Sequence, residues 1–150
     1  MEIGPITDAD VAEVVSLWER CGLTRPWNDP LADIALARAN PTSEVLVGRQ
    51  EGRIVASAMA GTDGHRGWIY YLSVDPGSAR QGLGRTMVQA CEAWALERGV
   101  PKIQLMVRQG NGATTGFYQA LGYQLEETVI LGKRFDGRSW DTAKAPAQRG

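Results

Sequence analysis

The chain has 150 residues, of which 43% are hydrophobic and 22% are charged, as expected for one globular domain with a single sizeable core. Lysine and arginine number 16 against 17 acidic residues, so the formal net charge is only −1. A nucleic-acid-binding protein normally carries a basic excess or patch. We therefore expect no nucleic-acid partner.

The cysteines and the hydropathy pattern indicate the cellular compartment in which the protein works. No apolar run follows a basic start, and no stretch approaches the length of a membrane span. Cys21 and Cys91 are far apart in the sequence, and each falls on an apolar helical face, which favours two buried, reduced thiols. Two distant cysteines and a single histidine are too few ligands for a zinc site. We predict a cytoplasmic protein with no membrane partner and no metal.

The amino-terminal part predicts a strand followed by two helices. Residues 2–6 form the strand, and Thr7-Asp8-Ala9-Asp10 resembles a capping box. Apolar residues at helical spacing then continue to Gly22. Asp29-Pro30 begins a second helix, with Asp as cap and Pro at the first position, and this helix ends before Pro41. In the loop between the helices, Trp27 either stacks on a substrate or staples the helices to a sheet.

The middle and the end of the chain predict alternating strands and helices. Strands at 44–49 and 53–60 form a hairpin, and the aromatic, β-branched run 68–74 is a central strand. A helix at 83–97, a strand at 102–107, a helix at 114–121 and one or two strands within 123–135 follow. We expect residues 1–135 to form one α/β domain around a mixed sheet, with 136–150 as a loose tail.

A glycine-containing turn, Arg80-Gln81-Gly82-Leu83-Gly84-Arg85, joins the central strand to the long helix. A helix start leaves backbone N–H groups unpaired and favours negative charge, so this turn predicts an anion site. On spacing alone, a simple tight turn explains the motif equally well. Met87 stands where a Rossmann fingerprint needs its third glycine, and Gly84-Arg85-Thr86 does not match a P-loop.

Taken together, the motifs resemble the acetyl-CoA signature of the GNAT family of N-acetyltransferases. The first part is Leu72-Ser73-Val74-Asp75-Pro76 with the glycine turn, and the second is Asn111 with Gly116-Phe117-Tyr118-Gln119-Ala120-Leu121-Gly122-Tyr123. The predicted element order also matches over residues 1–135. The segments Cys21–Trp27 and Asp63–Trp68 further resemble small bacterial members of the YpeA type.

This resemblance implies a mixed, mostly antiparallel central sheet flanked by about four helices, and a reaction in which an amine directly attacks the acetyl-CoA thioester. Val74 is the expected backbone donor to the thioester carbonyl, and Tyr118 is the expected general acid for the departing thiolate. Tyr118 as a merely packed aromatic is the alternative. The expected acetyl-CoA-binding residues are Leu72, Ser73, Val74, Arg80, Gln81, Gly82, Leu83, Gly84, Arg85, Thr86, Asn111 and Tyr118.

The sequence departs from the family pattern at Ala79, where an arginine or glutamine usually stands; Arg80 follows one position later. The general base is left open among Tyr71, Asp63, Glu126 and Glu127, and His65 in its glycine-rich turn is not assigned catalysis. The acceptor is a small-molecule amine or a peptide amino group. Transfer of a longer acyl group, a non-catalytic acyl-CoA sensor on the same fold and a homodimer stay open as alternatives.

Overall fold

The computed structural model describes residues 1–138. Its strands are β1 (Glu2–Pro5), β2 (Ser43–Gln50), β3 (Arg53–Thr62), β4 (Gly67–Val74) and β5 (Ile103–Leu105), and its helices are α1 (Val11–Arg20), α2 (Pro30–Ala39), α3 (Leu83–Glu97) and α4 (Gly112–Ala120). Single 3₁₀ turns precede α1 at Asp8–Asp10 and follow β4 at Pro76–Ser78. Most of the predicted tail, from residue 139 onward, lies outside the described residues.

The five strands form one sheet in the order β1-β2-β3-β4-β5. Neighbouring strands run antiparallel except β4 and β5, which run parallel. The parallel pair requires a crossover, and α3 supplies it. The predicted mixed, mostly antiparallel sheet with about four helices is confirmed.

Two cores, one on each face of the sheet, hold the helices in place. Met87, Val88 and Cys91 of α3 pack against alanines of β3, while Leu17 and Trp18 of α1 pack on the opposite face. The alternation of side chains along the strands divides them between the two faces, and burial of each large apolar side chain stabilises the fold by about 1.5–3 kcal/mol. None of the helices in residues 1–138 is long and apolar enough to cross a membrane.

Local sequence signals set the ends of these elements as predicted. The Thr7 backbone N–H donates to the Asp10 carboxylate at 2.8 Å. The Asp29 carboxylate accepts hydrogen bonds from the first turn of α2. Glu51 and Gly52 both have positive φ, 51° and 77°, as a two-residue hairpin turn between β2 and β3 demands.

The strand prediction for residues 123–135 is wrong, because the structure forms no strand there. The predicted strand 102–107 shortens to Ile103–Leu105, so it presents only a short edge for another strand to pair with. The Glu126 carboxylate instead binds the side chains of Lys102 and Gln104 across this edge. The apolar run Val129–Leu131 is largely exposed; it lacks the polar–apolar alternation that would turn one face of a strand to the core.

Candidate functional site

The carboxyl half of β4 has an open edge. β5 pairs only with Gly67–Ile69, so β4 beyond Ile69 has no partner on that side within residues 1–138. The Asp75 N–H donates to the Val55 carbonyl of β3 at 2.7 Å. Because successive N–H groups of a strand point to opposite edges, the Val74 N–H is directed to the open edge.

The chain turns sharply between β4 and α3. The Asp75 carboxylate accepts the Gly77 N–H at 3.0 Å and lies 3.4 Å from the Arg20 guanidinium. Arg80 and Gly82 then adopt left-handed backbone conformations, with φ of 65° and 73°. Glycine at position 82 is therefore needed for its conformational freedom, and for Arg80 the same conformation is strained.

A cavity of about 500 Å³ lies at the start of α3. It is lined by the predicted residues Val74, Arg80, Gly82, Leu83, Gly84 and Arg85, and also by Ser78, Ala79, Phe117, Ala120 and Leu121. The first N–H groups of a helix have no partners within it, and the helix dipole favours an anion there. The tertiary structure thus brings the end of β4, the glycine turn and α4 around one concave site.

Gly84 sets how closely α3 approaches α4. A Cβ atom at this position would lie 3.2 Å from Cζ of Phe117 and 3.7 Å from Cγ2 of Val74. The sequence predicted that Gly84 gives a ligand access to the backbone. Its absent side chain also serves the packing of the Phe117 ring, which sequence spacing did not reveal.

Four other predicted residues lie beside the cavity or turn their side chains elsewhere. The Gln81 side chain is exposed and contacts Gln50, and the Thr86 hydroxyl donates back to the Gly82 carbonyl. The buried Ser73 hydroxyl lies 2.7 Å from Ser57 Oγ. The Asn111 side-chain carbonyl accepts the Thr114 N–H and so caps α4. Direct contact of these side chains with a cofactor stays a prediction.

The Tyr118 ring is only 7% exposed and packs edge-on against Phe117 and Tyr123, with centroid distances of 5.0 and 5.5 Å. Its hydroxyl has no hydrogen-bond partner within residues 1–138. Burial, helped by the neighbouring Cys91, raises the pKa of Tyr118 to about 12. The phenol therefore keeps its proton at neutral pH. Tyr118 is not among the residues that line the cavity, so its contact with a leaving thiol stays a prediction.

The candidate bases are mostly engaged in other bonds. The Asp63 carboxylate accepts the N–H groups of His65 and Arg66 and so builds its own turn, which lowers its pKa. Glu126 is held by Lys102 and Gln104, as described above. The Tyr71 hydroxyl donates a hydrogen bond to the Asp33 carboxylate at 2.6 Å. Burial is the main cause of the raised pKa of Tyr71, and this hydrogen bond is the second. Tyr71 is therefore a donor rather than a base, and its partner Asp33 was missed by the sequence analysis.

Trp27 is 9% exposed. The guanidinium of Arg108 lies 5.5 Å from its ring centroid, and Arg134 donates to its backbone carbonyl at 2.6 Å. Burial leaves little of the ring for stacking on a substrate. These contacts are to loop residues, so the stapling of the helices to the sheet stays a prediction. The residues that hold Trp27 come from distant parts of the chain, so no local motif could have identified them.

Comparison with known proteins identifies the family. The model described as Acetyltransferase (GNAT) family matches residues 11–123. An acetyltransferase of Yersinia enterocolitica is 42% identical over 134 residues, which cover 89% of this chain and 95% of that protein.

Two solved structures share the fold. The aminoglycoside acetyltransferase AAC(6')-Iy, in complex with the bisubstrate analogue CoA-S-monomethyl-acetylneamine, has a TM-score of 0.76 and 16% identity, covering 89% of this chain and 97% of that one. The ribosomal-protein-S18-alanine N-acetyltransferase of Escherichia coli has a TM-score of 0.70 and 25% identity, covering 81% and 76%. The chain therefore belongs to the acetyltransferase (GNAT) family and is an acyltransferase that acts on an amine.

Proposed function

We propose that the protein transfers the acetyl group of acetyl-CoA to an amine by direct attack of the nitrogen on the thioester. The observation that carries this proposal is the meeting, at Val74, of the open edge of β4 with the cavity at the start of α3. An extended pantetheine arm can pair with the edge while the pyrophosphate lies at the helix start.

The residues around the cavity suit a pyrophosphate. Gly82 and Gly84 present the backbone of the first turn of α3 without intervening side chains, and unpaired N–H groups at a helix start bind phosphate oxygens. Arg80 and Arg85 line the same cavity and can add charge-assisted hydrogen bonds. Ala79 offers no such group, so the backbone N–H groups and Arg80 bear most of the recognition.

In the reaction, the amine nitrogen forms a bond to the thioester carbon, and the carbonyl oxygen gains negative charge. The Val74 N–H stabilises that oxygen. The carbon–sulfur bond then breaks, and the thiolate takes the proton of the Tyr118 hydroxyl. The nitrogen, which enters as a neutral amine, loses one proton to solvent water, and solvent returns a proton to the Tyr118 phenolate. Against an ordinary thiol pKa of about 8.5, a phenol pKa of about 12 makes the proton transfer from Tyr118 to the thiolate uphill by about 5 kcal/mol.

The test is amine-dependent release of CoA. Acetyl-CoA is incubated with the protein and a panel that contains an alkyl monoamine, a polyamine and peptides with a free amino terminus, and free thiol is measured. We expect release above the amine-free rate for at least one class. Binding of acetyl-CoA without release for any amine would instead favour the non-catalytic sensor, and failure to bind acetyl-CoA would reject both functions.

A further inference from the structure

Tyr71 lies at a break in the pairing of β3 with β4. The register shifts between Ser57 and Met59 of β3, which leaves Tyr71 and Leu72 without partners on that strand, and β5 does not extend to them. Tyr71 has φ of 54°, a conformation that residues other than glycine rarely adopt. Bulges and strained residues of this kind re-aim side chains beside functional sites.

The break turns the Tyr71 side chain toward α1 and α2, whereas Ile69, two residues earlier, faces α3. The Tyr71 ring stacks on Trp18 with a centroid distance of 3.8 Å and an interplanar angle of 1°. Trp18 is itself fixed by a 2.8 Å hydrogen bond to the Ser57 hydroxyl. The Tyr71 hydroxyl donates to Oδ2 of Asp33 at 2.6 Å. The phenol is therefore held rigidly, and it orients the carboxylate of α2.

The Asp33 carboxylate keeps one oxygen available. Within residues 1–138, the Tyr71 hydroxyl is the one group that donates a hydrogen bond to the Asp33 side chain. The pKa of Arg134 is raised mainly by the hydrogen bond that Arg134 makes to Asp136. The negative charge of Asp33 contributes to the same shift. The Arg134 guanidinium is occupied by Asp136 and by the Trp27 carbonyl.

This pair lies beside the proposed transfer site. Tyr71 adjoins Leu72, whose backbone is unpaired, and it is three residues before Val74, a separation of about 10 Å along a strand. Tyr71 and Asp33 are both partly exposed, so the pair is accessible to a ligand. Of the other carboxylates considered, Asp63 is bound to its own turn and Glu126 to the β5 edge, and Glu127 is exposed.

We infer that the Asp33 carboxylate, oriented by the Tyr71 hydroxyl, binds the protonated amine of the acceptor, so that the protein selects cationic amines. This inference rests on the proposed function, because it assigns the acceptor side of the same site. An ammonium group donates charge-assisted hydrogen bonds to the free carboxylate oxygen. It then releases one proton to solvent water, so that its neutral nitrogen can attack the thioester. The raised pKa of Tyr71 keeps its hydroxyl a donor to Asp33 at neutral pH. Asp33 is the binding residue, and Tyr71 is a positioning residue.

The first test compares two acceptors of similar size, benzylamine and aniline, which are cationic and neutral respectively at neutral pH. With saturating acetyl-CoA, Asp33→Asn should lower kcat/KM for benzylamine by about 10- to 100-fold and leave that for aniline within about twofold. Tyr71→Phe, which keeps the stacked ring, should raise the KM for benzylamine several-fold. Glu97→Gln removes an exposed charge at the far end of α3 and should change neither acceptor. Equal losses for both acceptors in Asp33→Asn would overturn the inference.

A second test does not depend on turnover. NMR titration measures the binding of benzylammonium and of uncharged benzyl alcohol to the CoA-loaded protein. Asp33→Asn should weaken benzylammonium binding by at least about tenfold and leave benzyl alcohol unchanged. If the wild type binds benzylammonium selectively through Asp33 but releases no CoA with any amine, the proposed function fails and this inference stands. Equal benzylammonium binding by wild type and Asp33→Asn, or no preference over benzyl alcohol, overturns it.

Discussion

The backbone of Gly84 lies against the ring of Phe117, so close that a Cβ atom on residue 84 would be 3.2 Å from Cζ of the ring. This contact joins the start of α3 to α4 and shapes one wall of the cavity. It therefore links the stability of the fold to the geometry of the proposed cofactor site.

Gly84→Ala should disturb both the stability of the fold and the geometry of the proposed cofactor site. The added methyl group must displace the Phe117 ring, so we expect the free energy of unfolding to fall by about 1–2 kcal/mol and the Kd for acetyl-CoA to rise. Urea unfolding and calorimetric titration measure the two effects.

Gly116→Ala is the matched control for Gly84→Ala. A Cβ atom at Gly116 would meet nothing within 4 Å, and the residue lies inside α4. Alanine there should stabilise the protein by about 0.5–1 kcal/mol and leave acetyl-CoA binding unchanged. Wild-type affinity in Gly84→Ala would show that the contact does not shape the cavity.

Arg80 occupies a left-handed conformation with φ of 65°, which costs free energy that glycine would not incur. Arg80→Gly should raise the free energy of unfolding by about 1 kcal/mol and yet weaken acetyl-CoA binding several-fold, because a cation at the cavity is lost. Adding Ala79→Arg to this variant should restore part of the affinity, since Ala79 lines the same cavity. Unchanged affinity in Arg80→Gly would mean that the side chain does not contact the cofactor.

Tyr118→Phe should lower kcat for acetyl transfer by about 100-fold with little change in stability or in acetyl-CoA affinity, because the hydroxyl has no partner within residues 1–138. Tyr123→Phe is the contrasting control: its hydroxyl donates to Glu92 at 2.8 Å, so that variant should lose about 1–2 kcal/mol of stability and keep its kcat. Full turnover in Tyr118→Phe would remove it from the mechanism.

The free energy of unfolding should decline at alkaline pH. Burial raises the pKa of the Cys91 thiol to about 12 from its ordinary value of 9.0. Above pH 9 the unfolded chain therefore loses this proton while the folded chain keeps it. The unfolding free energy should be constant with respect to this group below about pH 9 and fall by about 1.4 kcal/mol per pH unit above it. Tyr118, whose pKa is also raised to about 12, adds to the slope from about pH 10.

Urea titrations at a series of pH values test this decline. Cys91→Ala should lower stability at neutral pH, because it leaves a small cavity in the core. It should also reduce the slope between about pH 9 and 10 and leave the part due to Cys21, whose pKa is also raised by burial. An unchanged slope in Cys91→Ala would show that the thiol does not titrate differently in the two states.

Features with local causes were predictable from the sequence. The positive φ of Gly82, the hairpin at Glu51-Gly52 and the cap of α2 by Asp29 each depend on neighbouring residues alone. The bounds of α3 were predicted as observed, since its apolar stripe is long and a glycine follows it. The strand expected within 123–135 was wrong because pairing depends on a partner edge, and β5 is too short to provide one. The cytoplasmic location and the homodimer stay predictions.

By itself, the sequence determined the element order, the glycine turn and the family, because these follow from periodicity, backbone preference and motifs of adjacent residues. Only the tertiary structure decided which side chains meet. It brought Phe117 against Gly84 and joined Tyr71 to Asp33, residues 38 positions apart. It also engaged the candidate bases Asp63 and Glu126 in bonds of their own. Such pairings depend on how the helices cross the sheet, and that geometry is set by the packing of both cores together rather than by any one segment.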